Sequence, residues 1–154
     1  MALAFERPLA PSTSLPQQPR GERDDNKLEV SVVFTGSGPT LPALQEAGVL
    51  AGRLAAEVTL IVPQIVPYPL ALTSPPVLLD FNERRFFLIA SESKVETTVR
   101  IYLCRDRWDA LRSILKPHSL VVIGGRKRWW PTPEKRLAQR LRRAGHQVTV
   151  VEME

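Results

Sequence analysis

The chain has a single cysteine, Cys104, in 154 residues. That excludes an internal disulfide and fits a reducing compartment. Histidines are almost as scarce, with only His118 and His146 present. One thiol and two imidazoles leave little from which to build a zinc site or a Cys/His dyad. No apolar run approaches the ~18 residues of a membrane span. At the N-terminus, Glu6, Arg7 and Pro8 break up any signal-peptide core. The expectation is a soluble, cytoplasmic protein that does not span a membrane. Neither G-x-x-x-x-G-K-[ST] nor G-x-S-x-G occurs, so the P-loop and the hydrolase nucleophile elbow are both missing.

What is present is apolar residue and locally concentrated positive charge. The apolar fraction of 44% is ample for one core. Between Gly124 and His146 there are eight basic residues against one acid, a local +7. A chain of formal charge +5 is therefore at −2 elsewhere. Such a patch points to a specific anionic neighbour. Residues 1–27 hold Pro8, Pro11, Pro16 and Pro19 among polar residues, and the composition predicts a disordered tail. Residues 28–154 are expected to form one domain.

Within that domain strands alternate with helices. Strands are expected at Leu28–Phe34, Glu57–Val62, Thr98–Cys104, Ser119–Ile123 and Gln147–Glu152. The first helix is expected over about Leu41–Ala55, capped by Thr40, with Leu44, Ala47, Gly48, Ala51, Leu54 and Ala55 on one face. A proline-rich loop, Pro63–Pro76, leads to a second helix at about Val77–Ser91. A short helix at Asp106–Leu115 and a last one at Pro133–Ala144, capped by Thr132, follow. Strict alternation implies a doubly wound α/β domain: a five-stranded parallel sheet with helices on both faces.

In such sheets ligands bind beyond the carboxyl ends of the strands. That rule favours Thr35–Thr40, Pro63–Gln64, Cys104–Arg107 and Gly124–Trp130. Both histidines immediately precede strands and fall on the opposite edge, where structural or solvent-exposed roles are expected. Asp80, Glu83, Asp106 and Asp109 are scattered, and no catalytic constellation emerges, so a non-enzyme is expected. Two glycine turns stand out, Gly36-Ser37-Gly38 and Gly124-Gly125, the second followed by Arg126, Lys127, Arg128, Trp129 and Trp130. Glycines before a helix N-terminus suit anion binding, with Thr132 as cap. On the last helix Leu137, Leu141 and Ala144 are expected to face the core, with Arg136, Arg140 and Arg143 on another face.

From about residue 28 onward the chain resembles the universal stress protein family, of the adenine-nucleotide α-hydrolase-like superfold. The likeness rests on LEVSVVFTGS followed by LPALQEAGVLAGRLAAEVTLIV, and on VVIGG with PEKRLAQRLRRAGHQVTVVE. It implies strand order 3-2-1-4-5, with both glycine turns at the switch point. It also implies an adenine nucleotide such as ATP as cofactor, and a homodimer through the last strand. Nucleotide-binding members have an Asp where this chain has Thr35, while Gly36 and Ser37 match. In their loop G-x2-G-x9-G-[ST], Gly124 matches the first glycine, Lys127 replaces the second, the spacing is shorter, and Pro131-Thr132 replaces the final pair. Glu134 matches an acidic residue early in the last helix. The phosphate loop is thus degenerate. The expected cofactor-binding residues are Thr35, Gly36, Ser37, Gly124, Gly125, Arg126, Lys127 and Thr132.

Three functions follow from these residues. The first is a non-catalytic regulatory or stress-response domain binding an adenine nucleotide or other small anion. The second is a nucleotide-free interaction module docking an acidic protein partner through the basic helix and Trp loop; by analogy with the superfold, that partner is a membrane transporter or sensor. Nucleic-acid binding through RKRWW ranks third, because the patch is short and no nucleic-acid motif accompanies it.

Overall fold

The β-branched runs become strands of one sheet in the computed structural model, which describes residues 3–9, 28–66 and 79–153. The strands are β1 (Leu3–Leu9), β2 (Glu29–Val33), β3 (Glu57–Ile65), β4 (Thr97–Cys104), β5 (Leu120–Arg126) and β6 (Gln147–Met153). Their order is β1-β4-β3-β2-β5-β6. From β2 to β6 all pairs are parallel, and this is the expected 3-2-1-4-5 core. β1 is an addition. It lies in the segment expected to be a disordered tail, yet pairs antiparallel with β4 from Leu3↔Leu103 to Leu9↔Thr97. The edge of β4 supplies unpaired backbone groups, which reward a strand whatever its composition. The remainder of the expected tail, residues 10–27, lies outside the described residues.

The helices are α1 (Ser37–Leu54), α2 (Leu79–Ser93), α3 (Arg107–Ile114) and α4 (Pro133–Arg143). Alternation along the central strands gives the sheet two apolar faces. Val30, Val32, Leu60 and Val122 meet α1 and α2 through Ala43, Leu44, Ala47 and Phe86. On the other face Val33, Ile61, Val121 and Ile123 meet α3 and α4 through Leu111, Leu137, Ala138 and Leu141. Three expected core positions fail at helix ends: Leu54 is 42% exposed, and Ala55 and Ala144 are exposed C-caps.

Three differences bear on the site. Helix α1 begins four residues earlier than expected for a Thr40 cap, with Gly36 as N-cap and the Thr40 N–H donating to the Gly36 carbonyl at 3.1 Å. Pro39 then falls in the first turn, where its missing N–H leaves no bond unmade. Thr40 is fully buried, and its hydroxyl has no partner among the described residues. Strand β3 runs on through Pro63, expected to open a loop. Its pairing with β2 ends at Ile61, so the absent N–H faces no ladder on that side. Most of the expected proline loop, residues 67–78, lies outside the described residues.

At the opposite edge His118 Nδ1 lies 3.1 Å from the Gly145 carbonyl, and the Ser119 N–H donates to His146 Nδ1 at 3.1 Å. Burial, and then the neighbouring His118, hold the His146 pKa below its ordinary value, which keeps the ring neutral as an acceptor. Both imidazoles tie the start of β5 to the start of β6, the structural role expected of them. Cys104 is buried at the end of β4; burial, and then Asp106, raise its thiol pKa, which disfavours the thiolate nucleophile.

Candidate functional site

Crossovers leave β2 and β5 in opposite directions, so a crevice opens between their carboxyl ends. A cleft of about 400 Å³ occupies that position. Thr35, Gly36, Gly38 and Pro39 form the wall from the start of α1, while Arg126, Arg128, Trp130, Thr132, Pro133 and Glu134 form the wall from the β5–α4 connection. Two bends far apart in sequence therefore meet at one rim, and four of the expected site residues (Thr35, Gly36, Arg126 and Thr132) line it.

The other four are placed differently. Ser37 is the first residue of α1. Gly124 and Gly125 are not a turn: β5 continues through both to Arg126, in register with Val151, Glu152 and Met153 of β6. Gly124 is buried against α1, where a Cβ would stand 2.0 Å from the Pro39 carbonyl oxygen. Its glycine is required by helix–strand packing. Gly125 is buried beside Glu134, and its Cβ would meet that side chain at an ordinary 3.4 Å. Lys127 is exposed, and its N–H extends the ladder to the Met153 carbonyl at 2.8 Å. The expected Gly124-Gly125 turn is therefore replaced by a continued strand.

Thr35 accounts for part of this geometry. Its hydroxyl donates to the Gly124 carbonyl at 2.7 Å, joining the ends of β2 and β5 just past their last paired residues. An aspartate carboxylate in the same place has no proton to donate and would face the carbonyl oxygen unfavourably. Thr132 is buried and caps α4 as expected, accepting from the Lys135 N–H at 3.3 Å, with Pro133 behind it. Lys135 in turn donates to the Arg128 carbonyl at 2.8 Å and pairs with Glu152 at 3.3 Å, tying the loop to β6.

The cleft's charge comes from side chains. Arg126 and Arg128 are exposed at its mouth, and the Arg128 guanidinium sits over the Trp130 ring at 5.1 Å from its centroid. Stacking holds the guanidinium plane while leaving its N–H fork free for an anion. Glu134 is the carboxylate of the lining. Trp130 is 44% exposed and Trp129 91%, edge-on to each other at 5.4 Å, so neither is packed into the core. Gly38, Pro39, Arg128, Trp130, Pro133 and Glu134 were absent from the expected cofactor-binding residues, although the first four lie in segments that the strand-end rule favoured. The RKRWW run carried a signal for Arg128 and Trp130; Gly38 and Pro39 are explained by where α1 begins.

An open α/β sheet with its crevice at the switch point defines the class of this domain. Among solved structures it is similar to a protein of the universal stress protein family from Burkholderia pseudomallei. The TM-score is 0.52 at 19% identity, covering 85% of this chain and 100% of that one. The fold is therefore universal-stress-protein-like. No protein-family model and no curated protein matches the sequence. Among the described residues no helix is long and apolar enough to cross a membrane, and no group of three or more His, Cys, Asp or Glu is arranged to hold a metal ion.

Proposed function

We propose that this is a non-catalytic regulatory domain of universal stress type, binding a small anionic ligand in the β2/β5 cleft. The observation that carries the reading is the meeting of Arg126, Arg128 and Trp130 with the N-terminal turns of α1 and α4 around one cavity of about 400 Å³. Cavities of that size accept small molecules, and the fold likeness makes an adenine nucleotide the first candidate. Recognition runs through guanidinium groups and the indole face, because the glycine backbone is engaged in packing and pairing. Calorimetry with ATP, ADP and inorganic phosphate tests this. We expect binding tighter than ~1 mM, weakened about tenfold, or ~1.4 kcal/mol, by Arg126→Ala and again by Arg128→Ala. No measurable binding of any of the three would overturn it.

The same reading places the protein in the cytoplasm as a homodimer through β6, whose outer edge has no strand partner among the described residues. A monomeric mass by light scattering at high micromolar concentration would contradict the dimer. A second reading, an interaction module for an acidic protein, is favoured by one observation: Arg136, Arg140 and Arg143 stand exposed on α4.

A further inference from the structure

The cationic cleft has a neighbour. On the far side of Pro133, between the first turn of α3 and the flank of α4, lies a second concavity of about 340 Å³. Arg107 and Trp108 contribute from α3, and Arg136 and Arg140 from α4; Pro133 lines both cavities, so they are neighbours. The two are built alike. In the second, the Arg140 guanidinium lies over the Trp108 ring at 5.4 Å, as Arg128 does over Trp130 at 5.1 Å in the first. Asp106, the acid of the second cavity, is engaged as the α3 N-cap, accepting from the Trp108 N–H at 2.8 Å and the Asp109 N–H at 3.4 Å. No carboxylate among the described residues pairs with Arg107, Arg126, Arg136 or Arg140.

Two of the chain's three tryptophans, Trp108 and Trp130, therefore line the two cavities with five arginines, and the third, Trp129, adjoins Trp130 at 5.4 Å. An indole 91% in water, as Trp129 is, gains nothing from folding and is available to a ligand with a flat apolar face. An acidic peptide would use the guanidinium groups and leave the indoles wet. A single strand of nucleic acid alternates phosphate with base and so uses both, the cations on its backbone and the rings on its bases. We propose that the two cavities form one continuous site for single-stranded nucleic acid, at least one nucleotide to each. This rests on the anion-binding reading of the first cleft and extends it to a polymer.

The test uses the full chain at about 50 mM salt, where phosphate contacts are weakly screened. Intrinsic fluorescence reports directly, since Trp108 and Trp130 line the site and Trp129 adjoins Trp130. Three probes are compared: uridine monophosphate, a uridine oligomer of about eight nucleotides, and a poly-glutamate peptide of equal charge. We expect the oligomer to bind at least ~10-fold tighter than the monophosphate, to quench tryptophan emission, and to weaken steeply with added salt. The double variant Arg136→Ala/Arg140→Ala, on an exposed helix face, should bring the oligomer down to monophosphate affinity. An oligomer no tighter than the monophosphate, or unaffected by that variant, overturns the extended site while leaving the first-cleft reading in place. Monophosphate and oligomer both failing to bind overturns the extended site, and the calorimetry with ATP, ADP and phosphate then decides the first-cleft reading separately. Poly-glutamate outcompeting the oligomer replaces this proposal with an acidic protein partner.

Discussion

Gly124→Ala is expected to destabilise the domain by about 3 kcal/mol, the upper end of what overpacking costs. The new Cβ would lie 2.0 Å from the Pro39 carbonyl oxygen and 3.2 Å from the Ala43 Cβ. The first of these is backbone, held in the opening turn of α1, so no rotamer change relieves the clash. The sheet and helix must separate locally, which also disturbs the Thr35 hydrogen bond to the Gly124 carbonyl. Gly125→Ala is the internal control. Its Cβ would meet only Glu134 side-chain atoms at 3.4 and 3.6 Å, and its backbone is in an ordinary strand. Losing glycine's freedom in the unfolded chain offsets what remains, so a change within about 0.5 kcal/mol is expected. Urea unfolding of both variants decides it. Equal stability for the two would mean that α1 does not rest on β5 as described.

Leu141→Ala should cost about 3 kcal/mol, within the ~2–5 observed for truncating buried leucines. Leu141 is fully buried on α4 among Leu137, Ala138, Val121 and Ile123. Domains are stable by only ~5–15 kcal/mol, so this one cavity removes a large share. The effect reaches the site, because α4 carries the Thr132 cap at its start and Arg136 and Arg140 on its flank. Arg143→Ala, on an exposed position of the same helix, is expected to stay within about 0.5 kcal/mol. A loss below about 1 kcal/mol for Leu141→Ala, read from the shift in urea midpoint, would show that α4 is not seated through this residue.

By itself the sequence determined the parallel core from β2 to β6, the Thr132 cap, and the placement of both histidines at the far edge. Each is settled by local rules, namely side-chain period, cap chemistry and position relative to a strand. The resemblance added the strand order. Tertiary structure alone decided what Gly124 is for, because a glycine that admits a phosphate and one that admits a helix look identical until the atom opposite is known. That atom is the Pro39 oxygen. The same holds for β1, whose register depends on a β4 edge distant in sequence. It holds for the second cavity, where Trp108 and Arg140 come from different helices. Backbone pattern is encoded residue by residue; which groups face each other across the sheet edge exists only once the chain has closed on itself.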